Sequence, residues 1–113
     1  MIIIEKSTTL NDLWIKREID FTELMKVVVD VNRGILAIDA EMHADLEKLL
    51  LENGSKQQYL WGANVYPNRN NDDFVEYTSF INIKPNLNNR SMEIQDNDIR
   101  ARVKEIIETL LIK

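Results

Sequence analysis

Val27-Val28-Val29-Asp30-Val31-Asn32-Arg33-Gly34-Ile35-Leu36-Ala37-Ile38-Asp39 is the stretch that decides the fold. Two apolar runs rich in β-branched residues flank a short polar segment ending in glycine, which is the pattern of a hairpin. With Arg33-Gly34 as the loop, a period of two puts Val27, Val29 and Val31 on one face with Leu36 and Ile38. Asp30 and Asp39 then fall on the opposite face. So short a connection joins antiparallel strands only, because parallel neighbours need a long crossover.

Outward from this hairpin the periods change. On the N-terminal side, Ile2-Ile3-Ile4 predicts a strand, since three β-branched residues lose side-chain freedom in a helix. Thr9, with Asp12 three residues later, predicts the cap of a helix over Leu10 to Glu18. On the C-terminal side, Met42, Leu46, Leu49 and Leu50 recur at i, i+4, i+7 and i+8, and Asn53-Gly54 supplies a left-handed stop. A second hairpin follows, Gln58 to Tyr66 and Phe74 to Lys84, around the polar loop 67–73. Pairing Tyr66 with Phe74 places Tyr59, Trp61, Ala63, Val65, Val75, Tyr77, Ser79, Ile81 and Ile83 on one face. Leu60, Gly62, Asn64, Tyr66, Phe74, Glu76, Thr78, Phe80, Asn82 and Lys84 take the other. Asp96 caps a last helix whose stripe is Ile99, Val103, Ile106, Ile107, Leu110 and Leu111.

The resulting order, β-α-ββ-α-ββ-α, predicts one α+β domain over residues 1–113. A mostly antiparallel sheet of four or five strands is expected, with three helices packed on one face. A chain of 113 residues with 44% hydrophobic content, three Gly and two Pro suits a single packed core. The net charge of −5 opposes binding to phosphate backbones, so no nucleic-acid partner is expected. The absence of Cys excludes disulfides, thiolate metal sites and thiol nucleophiles, and fits a cytoplasmic protein. Met1-Ile2-Ile3-Ile4 is too short for a signal-peptide core and is broken by Glu5-Lys6. No apolar run approaches the length of a membrane span.

His43-Ala44-Asp45, Gly54-Ser55-Lys56-Gln57, Leu60-Trp61-Gly62-Ala63-Asn64-Val65-Tyr66-Pro67, Ile81-Asn82-Ile83-Lys84-Pro85 and Asn89-Arg90-Ser91 together resemble a family of small prokaryotic proteins classed as a domain of unknown function. The resemblance covers almost the entire chain, and the Leu-Trp-Gly-x-Asn-x-Tyr-Pro block is its most specific part. It implies a compact cytosolic domain of about this length and carries no assigned reaction, cofactor or catalytic residue.

Several residues have a functional reading beside a plain one. His43 stands one helical turn before Glu47, a spacing at which both side chains reach a common metal. Two ligands do not make a site, and a surface ion pair is the plainer reading, so no metal and no cofactor are expected. The second face of the sheet mixes Leu60, Tyr66, Phe74 and Phe80 with Asp30, Asp39, Asn64, Glu76 and Asn82. A solvated face does not ordinarily carry so many large apolar groups, so a cover is expected, with the second subunit of a homodimer favoured. A ligand concavity is the other option, with Glu76 as acid or base beside the amide of Asn64. Asn89-Arg90-Ser91, ahead of the last helix, has donors for an anionic small molecule, although Asn-rich segments are usually only turns. Trp14 and Trp61 suggest stacking platforms, yet the register sends Trp61 into the core.

No glycine-rich phosphate loop, nucleophile elbow, HExxH or CxxC motif is present. The sequence therefore assigns no activity. Its best reading is a non-enzymatic, homo-oligomeric binding or assembly domain using Asn64, Glu76, Asn82, Asn89, Arg90 and Ser91. The alternative is a small hydrolase or transferase acting on an anionic metabolite, with Glu76 as general base and Arg90 as clamp.

Overall fold

A computed structural model describes residues 1–113. The chain runs β1 (Ile2–Ile4), β2 (Thr8–Thr9), α1 (Leu10–Lys16), β3 (Met25–Asp30), β4 (Ile35–Ile38), α2 (His43–Glu52), β5 (Leu60–Val65), β6 (Val75–Glu76), α3 (Asn97–Leu110) and β7 (Leu111–Ile112). Five strands form one antiparallel sheet in the order β1-β4-β3-β5-β6. Outside it, β2 and β7 pair in parallel, Thr8 opposite Leu111, and the Ser7 hydroxyl donates to the Thr109 carbonyl at 2.6 Å. The expected α+β class with its antiparallel sheet and three helices is present.

The first hairpin keeps the predicted faces of its strand residues but not its predicted loop, and Asp39, beyond β4 with φ at +74°, leaves the pleat and accepts from the Glu18 and Ile19 N–H groups. Asp30 lies opposite Ile35, so the connection is the four residues Val31 to Gly34. The Asp30 carboxylate takes the N–H groups of Asn32 and Arg33, both at 2.9 Å, and the Gly34 N–H closes onto the Asp30 carbonyl with φ at +70°. Capture of two backbone donors by one Asp side chain makes the longer loop self-satisfied. The slip relative to an Arg33-Gly34 loop is two residues, and an even slip leaves every side chain on its face.

The helices do not share one face, contrary to the sequence expectation. Val27, Val29, Leu36, Ile38, Trp61, Ala63 and Val65 point toward α1 and α3 and join a cluster of 19 buried residues. Val28, Ala37 and Leu60 point the other way and pack with Leu46 and Leu50 of α2 in a cluster of six. Because β4 and β5 both run antiparallel to β3, they are parallel to each other, and α2 is the crossover that carries the chain over β3. A strand that is apolar at three consecutive positions, as at Val27-Val28-Val29, needs cover on both sides. The cover that the sequence suggested for the second face, another subunit, is supplied over Leu60 by α2 of the same chain.

The second hairpin has the predicted register, with Val65 opposite Val75 and the Tyr66 N–H donating to the Phe74 carbonyl at 2.8 Å. Its second strand ends at Glu76, however, not at Lys84. Phe74 also departs from the expected face: it has helical φ and ψ and joins the larger cluster. Beyond Glu76 a side chain takes over the role of the missing strand. The Asn82 amide accepts from the Gly62 N–H at 2.8 Å and donates to the Gly62 carbonyl at 2.9 Å, satisfying both backbone groups. Gly62 permits this, because a Cβ there would stand 2.5 Å from that of Ser79.

Candidate ligand cleft

Once the chain leaves the sheet at Glu76, it folds into short turns, at Phe80–Asn82 and Pro85–Leu87. Two buried asparagines hold these turns in place. Asn82 anchors them to Gly62. Asn89 donates to the carbonyls of Asn82 at 2.7 Å, Ser91 at 3.0 Å and Glu93 at 2.9 Å, and accepts from the Gln95 N–H at 2.8 Å. The backbones of Lys84 and Asn89 also exchange hydrogen bonds of 2.7 and 3.1 Å, closing a tight loop with Asn88 at φ +60°. Asn is among the few side chains that accept that conformation at low cost.

On α2, Leu46 and Leu50 face the sheet, and Glu47 is turned toward these loops. Between them opens a cleft of about 460 Å³, lined by Glu47, Gln57, Gln58, Phe80, Lys84 and Leu87 among others. One of its groups is buried without a hydrogen-bond partner, and a second is charged and unpaired. Lys84 is only 7% exposed, yet its ammonium has no ion-pair partner within 4 Å. It stands 5.4 Å from the centre of the Trp61 ring, near the outer limit of a cation–π contact. Burial lowers the proton affinity of its amine, and the Glu47 carboxylate offsets part of that effect. Across the cleft, Glu47 Oε2 is buried with no hydrogen-bond partner. Buried polar atoms are normally paired, so Glu47 Oε2 is a place where a ligand donor is energetically welcome, and the unpaired Lys84 ammonium at the cleft wall is a place for an anion. The rim is apolar, with Phe80 77% exposed and Ile83 and Leu87 also exposed.

The other predicted residues are placed as follows. Asn64 Nδ2 donates to Glu76 Oε1 at 2.8 Å, and the Tyr66 hydroxyl donates to the same oxygen at 3.2 Å. Asn64 Oδ1 is buried without a partner. Glu76 lines a hollow of about 250 Å³ that also contains Arg69 and Arg100, each stacked on a tyrosine, at 3.9 Å over Tyr66 and 4.5 Å over Tyr77. Arg90 does not line that hollow; it is exposed, and its backbone N–H donates to Gln95 Oε1 at 3.2 Å. The Ser91 hydroxyl accepts from the Glu93 N–H at 3.1 Å. The structure thus brings Asn64 and Glu76 together and leaves Arg90 apart, while Asn82 and Asn89 hold backbone.

His43 Nε2 donates to the Ala63 carbonyl at 2.8 Å. Desolvation lowers its proton affinity, partly opposed by that bond and reinforced by the nearby charge of Lys26. No group of three His, Cys, Asp or Glu side chains comes together anywhere in the fold. Trp61 is in the core as expected, whereas Trp14 meets Phe21 edge-on, with ring centres 5.5 Å apart. Lys84 was not singled out from the sequence: lysine is overwhelmingly a surface residue, and nothing in Ile83-Lys84-Pro85 marks this one as enclosed.

Residues 2–110 match the sequence model of a family described as "Protein of unknown function (DUF5674)". The chain belongs to that family. No curated protein and no solved structure matches this DUF5674 member. None of its helices is long and apolar enough to cross a membrane.

Proposed function

We propose that this DUF5674 protein is a cytoplasmic binding domain that holds a small anionic ligand in the cleft between α2 and the Phe80–Leu87 turns. The observation that carries the reading is Lys84, nearly enclosed and lacking any anionic partner within ion-pair distance. A partly desolvated ammonium without a counter-ion in contact is less stable than a solvated one, and a bound carboxylate or phosphate offsets that deficit. Glu47 Oε2 adds a demand for a donor on the same ligand, and Gln57 and Gln58 add amides at the wall. The lack of cysteine supports a reducing compartment. The test is a thermal-shift series with phosphate, citrate, succinate and oxalate on the wild type and Lys84→Met. At least one anion should raise the wild-type melting temperature by several degrees and leave the variant unmoved; equal shifts in both proteins, or none, sink the reading.

A second reading, assembly as a homodimer, is favoured by Phe80, which presents a large apolar ring at 77% exposure beside Ile83 and Leu87. Light scattering of the eluting protein should give twice the chain mass for wild type and the chain mass for Phe80→Ser. A wild-type protein of single-chain mass at all concentrations removes it.

A further inference from the structure

We propose that Lys84 is a nucleophile which captures the carbonyl carbon of a small 2-oxo acid as an imine, with Glu47 moving the proton. The inference rests on the cleft reading above and specifies its ligand class.

Three features of the cleft converge on this chemistry. The first is enclosure: Lys84 lies at the wall of a 460 Å³ cleft, 7% exposed and free of any ion pair, so its amine is not committed to another group. Desolvation favours the neutral amine, the form with a lone pair, and this is a recognised way for a protein to activate lysine. The second is a proton carrier, because Glu47 lines the same cleft and keeps one buried oxygen unengaged. The third is a complementary wall. Gln57, Gln58 and Asn86 line the cleft with amide side chains that suit a carboxylate, while Phe80 and Leu87 give the remainder of a small molecule an apolar surface.

The step balances without an oxidant or a reductant. The Lys84 lone pair forms a bond to the keto carbon, and the C=O π electrons move to oxygen, which takes a proton from solvent. Nitrogen loses a proton to the Glu47 carboxylate, giving a neutral carbinolamine. Glu47 then returns that proton to the hydroxyl, which leaves as water while the nitrogen lone pair forms C=N and nitrogen sheds its last proton to solvent. The sum is one amine plus one carbonyl giving one imine and one water. A 2-oxo acid fits better than a simple aldehyde, because its carboxylate also meets the demand for an anion.

The experiment is reductive trapping with pyruvate and cyanoborohydride at neutral pH, read by intact mass and peptide mapping. Lys84 should be alkylated at least tenfold faster than any of the other seven lysines. Lys84→Arg keeps the charge and should abolish the adduct, and Glu47→Gln should slow it at least tenfold while both variants melt cooperatively. Labelling at Lys84 no faster than at exposed Lys48 overturns the proposal. Oxalate, which presents a carboxylate beside a second oxygen-bearing carbon as a 2-oxo acid does but has no reactive ketone, separates the two readings. If oxalate raises the melting temperature of wild type and Lys84→Arg but pyruvate is not trapped, the anion cleft stands and the nucleophile falls. If neither pyruvate nor any of phosphate, citrate, succinate and oxalate acts through Lys84, both fall.

Discussion

Under α1 and α3 the sheet closes over nineteen apolar residues in one cluster, whereas under α2 it closes over six. The thinner side is flanked by buried polar groups. Asp30 receives the Ser55 hydroxyl at 2.7 Å, Ser55 receives Arg33 at 2.9 Å, and Lys84 and Glu47 face a cleft. Most of the apolar burial that opposes chain entropy is therefore on one face, leaving the other able to carry groups that are not at their energetic best. Local inconsistency of this kind gathers at functional sites in otherwise consistent folds.

The largest expected effect is on the thick side. Trp61→Ala removes a fully buried ring from the large cluster and should cost about 3–5 kcal/mol, read as a lower urea midpoint. An unchanged midpoint would break the contrast between the faces. Next is the side chain that stands in for a strand: Asn82→Ala strands the Gly62 N–H and carbonyl in a buried place and should cost about 2–4 kcal/mol. A loss as small as that of an exposed residue would show that water replaces the amide.

The third effect has the opposite sign. Lys84→Met removes a desolvated charge and keeps a long apolar side chain, so it should stabilise by on the order of 1 kcal/mol. Because the amine's proton affinity is lower in the folded state, the unfolded chain binds more protons between that lowered value and the ordinary 10.5. Wild-type stability therefore rises with pH across that window, and the advantage of the variant, greatest at neutral pH, shrinks there. Chemical denaturation of both proteins at neutral and alkaline pH checks the sign.

His43 sets a dependence in the same direction. Its folded-state proton affinity also lies below the ordinary 6.5, so acidification through and below that value favours the unfolded chain. His43→Gln, which keeps a donor for Ala63, should lose less stability than wild type over the same acid range. The smallest effect is expected at the cleft rim, where Phe80→Ser should leave unfolding free energy within about 0.5 kcal/mol of wild type.

Local patterning made much of this legible. The faces of the first hairpin, the inward direction of Trp61, the Tyr66–Phe74 register, the Asp96 cap and the stripe of α3 all follow from period and capping chemistry that neighbouring residues settle among themselves. The placement of α2 was hidden because it depends on which strands become neighbours, although Val27-Val28-Val29 carried the clue. Alternation continues on paper from Val75 to Lys84, but the strand stops at Glu76, since Asn82 reaches Gly62 from a turn, a long-range bond that no period encodes. Lys84 was hidden for the same reason: its enclosure is made by α2, more than thirty residues earlier in the chain.

The small parallel pair of β2 and β7 has a consequence for how the molecule loosens. Thr8 and Thr9 are zipped to Leu111 and Ile112, and Thr9 is also the cap of α1, accepting from the Asp12 N–H at 3.0 Å. Fraying of the final strand is therefore felt at once by the first helix, with Ser7 and Thr109, 102 positions apart, parting in the same event. The first and last segments open as one latch, so amide exchange in α1 should follow that of β7 and not that of β1, the sheet strand that precedes it in the chain.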